Sequence, residues 1–483
     1  MAEVTKVQAN WVDKAIGFFD PKAGIARMNA RRAYEAASFG RRAKTMRMAG
    51  SNGPNIEVGI ALQTLRNRSR HFVRNNGWAK RALGVIVTNT IGEGIRPAPT
   101  EGTKNQVRKI KSYWKHWAES TECDWDGKNT FYGLQQLIMS EIAEGGDCLV
   151  VRRRVLPTRT NPVPIKIQVI EGDQLDHTRN YVNDEGYCRL GVQFDKEGRK
   201  TGYWVWTSHP TDSATQWTGL QSELIPLDDV IHPFEVLRAG QVRGVPMGVA
   251  AFMKLSDFSD YEDAQLMRQK VAAAFAAFVS GRENTAGNEA LEAIEPGIIE
   301  YLNEGETINF SNPPKADGYA EYSQKILQGI AAAYEITYEM LTMDYGNVNF
   351  TSGRMAKIDV SGRFRRLQYN LIVPQVCVPI WRWFMDSLIM TGLSGVFVDC
   401  DASDWTAPRV QQLDPVKETN ARVLQLQAGL TTWREVVRED GRDPDEFLQE
   451  IVEERKVLKE NGINFSSIII APEENQQQTK QNQ

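Results

Sequence analysis

The chain has 483 residues, of which 41% are hydrophobic and 24% charged, and its net charge is −4. That length calls for several domains with sizeable cores, and the composition is that of a soluble globular protein, not a disordered or fibrous one. No signal-peptide pattern opens the sequence, and no run reaches the roughly 20 uninterrupted apolar residues of a membrane span. The nearest, residues 371–390, is broken by Gln375, Arg382 and Asp386. The five cysteines (Cys123, Cys148, Cys188, Cys377, Cys400) are scattered and form no CxxC, which predicts a reduced compartment without disulfides or structural zinc.

In chain order, residues 1–54 read as a basic arm, with Arg31-Arg32 and then Arg41-Arg42-Ala43-Lys44. Residues 1–100 hold seventeen Lys/Arg against six Asp/Glu, and residues 414–483 nine against fourteen. The amino end therefore suits an acidic partner, or is simply a solvated arm. A helix is expected over 55–90, with Leu62, Leu65, Phe72, Val73 and Leu83 as its apolar positions. Arg66, Arg68, Arg70 and Arg74 crowd its middle, a density that fits phosphate, partner carboxylates or a solvated face. Further helices are expected over 106–120 and 130–143, and Gly145-Gly146 then marks a change of style. Short β-branched and aromatic runs at 148–151, 165–170, 187–194, 203–207 and 230–231 read as strands.

Residues 249–280 contain no Gly or Pro, and as one helix would extend about 48 Å at roughly 1.5 Å per residue. Phe252, Leu255 and Phe258 share one face of it; Val271, Phe275 and Phe278 share another. Between them lies an acidic stretch with Asp257, Asp260, Glu262 and Asp263. A helix whose buried face changes halfway has different neighbours at its two ends, as a strut does. Residues 282–317 are small, loop-rich and acidic, with strands expected at 298–299 and 307–310, and a return helix follows over 319–338. Residues 343–353 are rich in turn formers. Behind them a helical pattern over 354–391 contains Pro374 and Pro379 and is expected to bend. A strand at 396–398 and helices over 417–428, 431–439 and 445–460 complete the pattern before a polar tail.

The search for chemistry returns little. The nearest approach to a nucleotide-phosphate loop, Gly198-Arg199-Lys200-Thr201, has Arg199 where bare backbone is needed. There is no HExxH or GxSxG, and the five histidines never stand at metal-ligand spacing. Asp399, Asp401 and Asp404 read as a surface loop before a metal cluster. No cofactor, no metal and no catalytic residue is expected.

The order of several stretches nevertheless resembles one family. These are Leu62-Gln63-Thr64-Leu65-Arg66-Asn67-Arg68-Ser69-Arg70 with Arg74-Asn75-Asn76, and Asn89-Thr90-Ile91-Gly92-Glu93-Gly94-Ile95. Arg238-Ala239-Gly240-Gln241-Val242-Arg243-Gly244-Val245-Pro246 leads into the strut, and Phe350-Thr351-Ser352-Gly353-Arg354 precedes the bent helix. Together they resemble the lambda-type portal proteins of tailed bacteriophages, over most of the chain from about residue 31 to 462.

The resemblance implies an α+β, mainly helical portal fold: an αβ wing, a two-helix stem, a small αβ clip, a long kinked helix and a helical crown. By similarity, residues 1–54 are the basic arm, and 55–248 the wing, completed by 355–413. Residues 249–281 and 318–341 are the stem helices, 282–317 the clip, 342–354 the tunnel loop, 414–462 the crown and 463–483 a disordered tail. It implies a homo-dodecameric ring at one capsid vertex, through which double-stranded genome DNA is packaged and ejected. The implied partners are the terminase large subunit, the major capsid and scaffold proteins, and head-completion or adaptor proteins; no membrane is involved. Asp344, Tyr345, Asn347, Asn349, Thr351, Ser352 and Arg354 would line the DNA channel. Arg282, Glu283, Asn284, Glu289, Glu292, Glu295 and Glu304 would dock the motor or adaptor. Arg66, Arg68 and Arg70 would meet Asp257, Asp260, Glu262 and Asp263 of a neighbouring subunit. The alternatives are another ring-forming connector or capsid component and, against the missing motifs, a packaging ATPase or nuclease.

Overall fold

The computed structural model describes residues 16, 18–22, 52–212, 221–274, 278–280, 307–309, 318–346, 348–393, 402–408, 415–440 and 442–460. The chain divides into two units, residues 1–57 and 58–483. Almost all of the expected basic arm lies outside the described residues.

The helix expected over 55–90 is two helices, α1 (Pro54–Asn75) and α2 (Gly77–Ile91). Asn76 separates them: its side chain accepts from the amides of Trp78 and Ala79 and so caps α2, which a continuous helix would not allow. Helices α3 (Lys104–Ala118) and α4 (Phe131–Gly145) follow, each with a threonine N-cap. Their aromatic residues build the main core. Trp114 lies 5.0 Å from Trp381, 4.9 Å from Phe384 and 5.1 Å from Phe131, ring centre to ring centre.

The β-rich part is two antiparallel sheets. One has the order β3-β2-β9, from β2 (Cys148–Arg154), β3 (Ile165–Glu171) and β9 (Val230–Ile231). The other is a meander of β4 (Tyr181–Asn183), β5 (Gly186–Arg189), β6 (Val192–Asp195), β7 (Lys200–Trp206) and β8 (Ser222–Pro226). The run expected as one strand over 187–194 is thus a hairpin, turning at Leu190-Gly191 where both residues have positive φ. A further pair joins β1 (Arg96–Pro99) to β12 (Ser403–Thr406), with Pro97 opposite Trp405. The strand expected at 396–398 lies outside the described residues.

The strut helix is shorter than expected. After one 3-10 turn at Val249–Ala251, α5 runs Phe252–Ala274, and Phe278–Ser280 is strand β10, paired antiparallel with β11 (Thr307–Asn309). The alanine-rich end reads as helix locally, but Val279 finds Ile308 across a ladder, and that pairing wins. The expected strand at 298–299 is outside the described residues. The return helix α6 (Tyr319–Ala333) stops at Glu335, whose φ is +56°, and a short α7 (Tyr338–Thr342) follows.

The helical pattern expected over 354–391 is built of three consecutive pieces: α8 (Phe350–Leu367), a π-helical stretch Gln368–Cys377 containing Pro374, and α9 (Val378–Thr391). Residues 350–353 belong to α8 and not to the preceding loop. C-terminal helices α10 (Pro415–Gln427), α11 (Trp433–Glu439) and α12 (Pro444–Glu460) come last. The α+β, mainly helical reading holds.

Candidate functional site

Three features position the parts of this chain that could carry function: a buried charge node, the α5/α6 helix pair, and the loop between α7 and α8. The node forms where α4 hands over to β2. Asp147 is fully buried, as is Arg243, and Arg66 is only 3% exposed. Arg243 Nε donates to Asp147 Oδ2 at 2.8 Å, Arg66 Nη2 donates to Oδ1, and the Gly244 amide adds a bond at 2.9 Å. His232 Nε2 stands 3.1 Å from the same carboxylate. The arginines use their remaining donors on backbone, Arg66 on Gly145 O at 2.7 Å and Arg243 on Gly172 O at 2.6 Å. Such a close approach needs glycine, since a Cβ on Gly172 would collide with Asp147 Oδ1 and Arg66 Nη2.

Burial alone would push the Asp147 carboxyl up; Arg243 and then Arg66, helped by His232, reverse this and hold it well below the usual range. Burial pulls His232 down to about 4, against the raising effect of Asp147, so its ring is neutral at pH 7. Outside the node, Arg70 Nη2 donates to Glu171 at 2.7 Å and to Asp173 at 2.6 Å. Glu171, Asp173 and His209 stand close enough to hold a metal ion, but the Arg70 guanidinium already sits on both carboxylates. Burial, with Glu171 adding to it, pushes the nearby Glu141 up to about 7.

Helices α5 and α6 pack through Tyr261, which stacks on Tyr319 at 5.9 Å and meets Tyr322 at 4.5 Å. Tyr319 Oη donates to Glu262 at 3.4 Å. Beyond α6, the helices on either side of the loop are fastened. Arg81 of α2 donates to Met340 O at 3.0 Å, while Arg363 of α8 grips Glu235 (2.7 Å) and Glu335 (2.8 Å). Between these anchors Met343 takes the left-handed conformation and caps α7, and Asn349 caps α8 by accepting from the Ser352 amide at 2.8 Å. Met343 and Tyr345 are 57% and 61% exposed.

A profile described as "Phage portal protein, lambda family" matches residues 39–368, more than half of the chain. The chain belongs to that family. It is 25% identical over 426 residues to a probable portal protein of Halomonas phage phiHAP-1, covering 83% of this chain and 82% of that protein. It is 22% identical over 466 residues to Portal protein B of Escherichia phage lambda, covering 85% of each. Among solved structures, the neck of a native GTA particle computed with C12 symmetry is similar at a TM-score of 0.45 and 13% identity, over 79% of this chain and 98% of that one.

On this portal protein the residues expected at a subunit interface fall into separate groups. Arg66 needs correction: it is buried against Asp147 of its own chain and cannot reach a neighbour. Arg70 is neutralised within the chain by Glu171 and Asp173. Arg68 is exposed, as are Asp257, Asp260 and Asp263, while Glu262 is half-buried under Tyr319. In the expected tunnel loop, Asp344, Tyr345 and Asn349 are exposed loop residues. Thr351, Ser352 and Arg354 are exposed too, but on the first turn and a half of α8. Asn347 lies outside the described residues, as do the clip residues Arg282, Glu283, Asn284, Glu289, Glu292, Glu295 and Glu304.

Sequence reasoning missed the node. Arg243 stood inside the quoted stretch 238–246, and Asp147 directly follows Gly145-Gly146, yet nothing local pairs them across 96 residues.

Proposed function

We propose that this portal protein closes into a dodecameric ring at one capsid vertex, and that double-stranded genome DNA enters and leaves through its centre. The αβ body of α1–α4 and the two sheets is the wing, α5 and α6 the stem, the segment between them the clip, and α10–α12 the crown. The clip docks the terminase large subunit during packaging and head-completion proteins afterwards. The wing meets the major capsid and scaffold proteins. The ring is a conduit: energy for translocation comes from the terminase partner, and the chain itself is not an enzyme.

One observation carries the channel reading. The helices on either side of the loop, α7 and α8, are held by Arg81 and Arg363, and the loop sequence, residues 343–349, contains no Lys or Arg. DNA is a uniform phosphate surface, and every phosphate neutralised adds to a salt-dependent affinity. A collar that must let DNA slide therefore offers weak hydrogen bonds from groups such as Asn349 and no cations. Purified full-length protein viewed by electron microscopy should give closed dodecameric rings with an axial channel. A population of monomers or open filaments at assembly concentration would overturn the reading.

A further inference from the structure

A cavity of about 380 Å³ lies between β1, α3 and the turn from α11 to α12, and the portal reading gives it no role. Its apolar part is largely aromatic, with Trp114, Tyr132, Trp381 and Phe447. Its rim is cationic, and of its lining residues six are Lys or Arg against four Asp or Glu, a surplus of two. Lys111 bridges Asp443 at 2.9 Å and Asp445 at 2.7 Å, and Arg434 reaches Asp445 at 3.0 Å, which uses up two of the acids. The Arg442 guanidinium lies over the Phe447 ring, 4.9 Å from its centre. Donors also outnumber acceptors in the wall. Trp381 Nε1, Arg96 Nε and Arg438 Nε are enclosed and find no hydrogen-bond partner among the described residues. Buried donors are ordinarily paired, so a wall with three unpaired ones is short of acceptors. The chemistry that fits is a peptide carrying aliphatic or aromatic side chains for the aromatic floor, followed by carboxylates for the rim.

We propose that the occupant is the chain's own segment 463–474, docked on the subunit that carries it. Three observations single it out. Helix α12 ends at Glu460, and in the 23 residues that follow the large apolar side chains fall at Ile463, Phe465 and Ile468-Ile469-Ile470. Glu473-Glu474 follow two residues later, after Ala471-Pro472, the order in which the floor and the rim are met. The length also suffices. Glu450, on the cavity wall, is about 15 Å of helix from Glu460, and the eight residues from Asn461 to Ile468 can span about 26 Å. Asn461-Gly462, at the point where the chain must reverse, is a turn pair. Along α12, Ile451 and Leu458 repeat the face of Phe447 and are half-buried, which extends an apolar path from the cavity toward the helix end.

A fluorescein-labelled synthetic peptide with the sequence of residues 463–474 tests this by anisotropy. A tethered segment competes at an effective concentration on the order of millimolar. The peptide should therefore bind full-length Ile469→Asp protein, whose own segment no longer fits, at least tenfold more tightly than wild type. Adding Arg438→Glu and Arg442→Glu should remove that gain, and Arg442→Ala alone, which perturbs packing less, should reduce it. Equal affinity for wild type and Ile469→Asp would overturn the proposal, as would affinity indifferent to Arg442. Dilution to subunits, below ring assembly, should leave the wild-type protection intact. Protection seen only in rings would assign the cavity to a second copy and refute docking on the same subunit.

Discussion

Asp147→Asn is the most informative single change in this protein. It keeps the side chain's size and removes the negative charge that lies between Arg66 and Arg243, which are 3% and 0% exposed. Arg66 retains Gly145 O, and Asp173 lies 3.9 Å away; Arg243 retains Gly172 O at 2.6 Å. Both guanidinium groups are buried. Removing one partner from a buried ion cluster typically costs about 3–5 kcal/mol, because the charges left behind stay desolvated. At about 2 °C per kcal/mol for a body of this size, the midpoint in a thermal scan should fall by about 6–10 °C. Arg243→Met should also destabilise, but the pair Asp147→Asn with Arg243→Met should be milder than the sum of the two singles by at least about 1 kcal/mol, since removing both charges relieves the mismatch. A midpoint drop under about 2 °C for Asp147→Asn, or strict additivity of the two changes, would refute the claim that the node is held by charge compensation.

The remaining predictions concern pH and assembly. His232, with its pKa lowered to about 4, makes the fold more stable as pH rises from 4 toward 6.5; Glu141, raised to about 7, makes it less stable as pH rises from 4.5 toward 7. Their opposite slopes, each at most about 1.4 kcal/mol per pH unit, should leave a flat denaturation profile between pH 4.5 and 6.5. His232→Gln should tilt it downward with pH and Glu141→Gln upward; two unchanged profiles would contradict the assignment. Arg68→Glu should leave the melting temperature within about 1 °C, as surface changes do, yet shift sedimentation from rings toward monomers at moderate salt. Unaltered rings would remove Arg68 from the interface. Tyr345→Arg, which leaves the Asn349 cap intact, should preserve rings but slow DNA packaging, with relief at high salt; normal packaging would place the loop away from DNA.

What the sequence disclosed and what it hid follow the range of the interactions. The order strut, return helix, loop and proline-bearing helix was legible because each depends on local periodicity, turn formers or proline. The break at Asn76 was legible in principle, since Asn75-Asn76-Gly77 is a turn signal, but helical periodicity on both sides masked it. Strand β1 was not legible. Two prolines in four residues argue against a strand, and only Ser403–Thr406, some 300 residues on, makes it one. The arginine cluster misled for a related reason. Spacing puts Arg66 and Arg70 on one helical face, but it cannot say that Asp147, Glu171 and Asp173 wait beneath that face.

The π-helical stretch Gln368–Cys377 has a consequence for how much length variation this rod can bear. At its start, Gln368 binds Thr90 O at 2.9 Å and Pro408 O at 3.2 Å; further along it, Gln375 binds the Phe234 backbone; downstream, Trp381 and Phe384 fill the aromatic core. All three appointments must be kept by one continuous helix. A π turn is an α turn with a residue to spare. Losing one residue between Tyr369 and Val373 would tighten the stretch toward ordinary α-helix and keep Trp381 and Phe384 pointing inward. The same loss between Val378 and Ile380 would swing every later side chain by about 100° and turn Trp381 and Phe384 away from the aromatic core. Length changes in this rod should therefore gather in its wide turns, which serve as its slack.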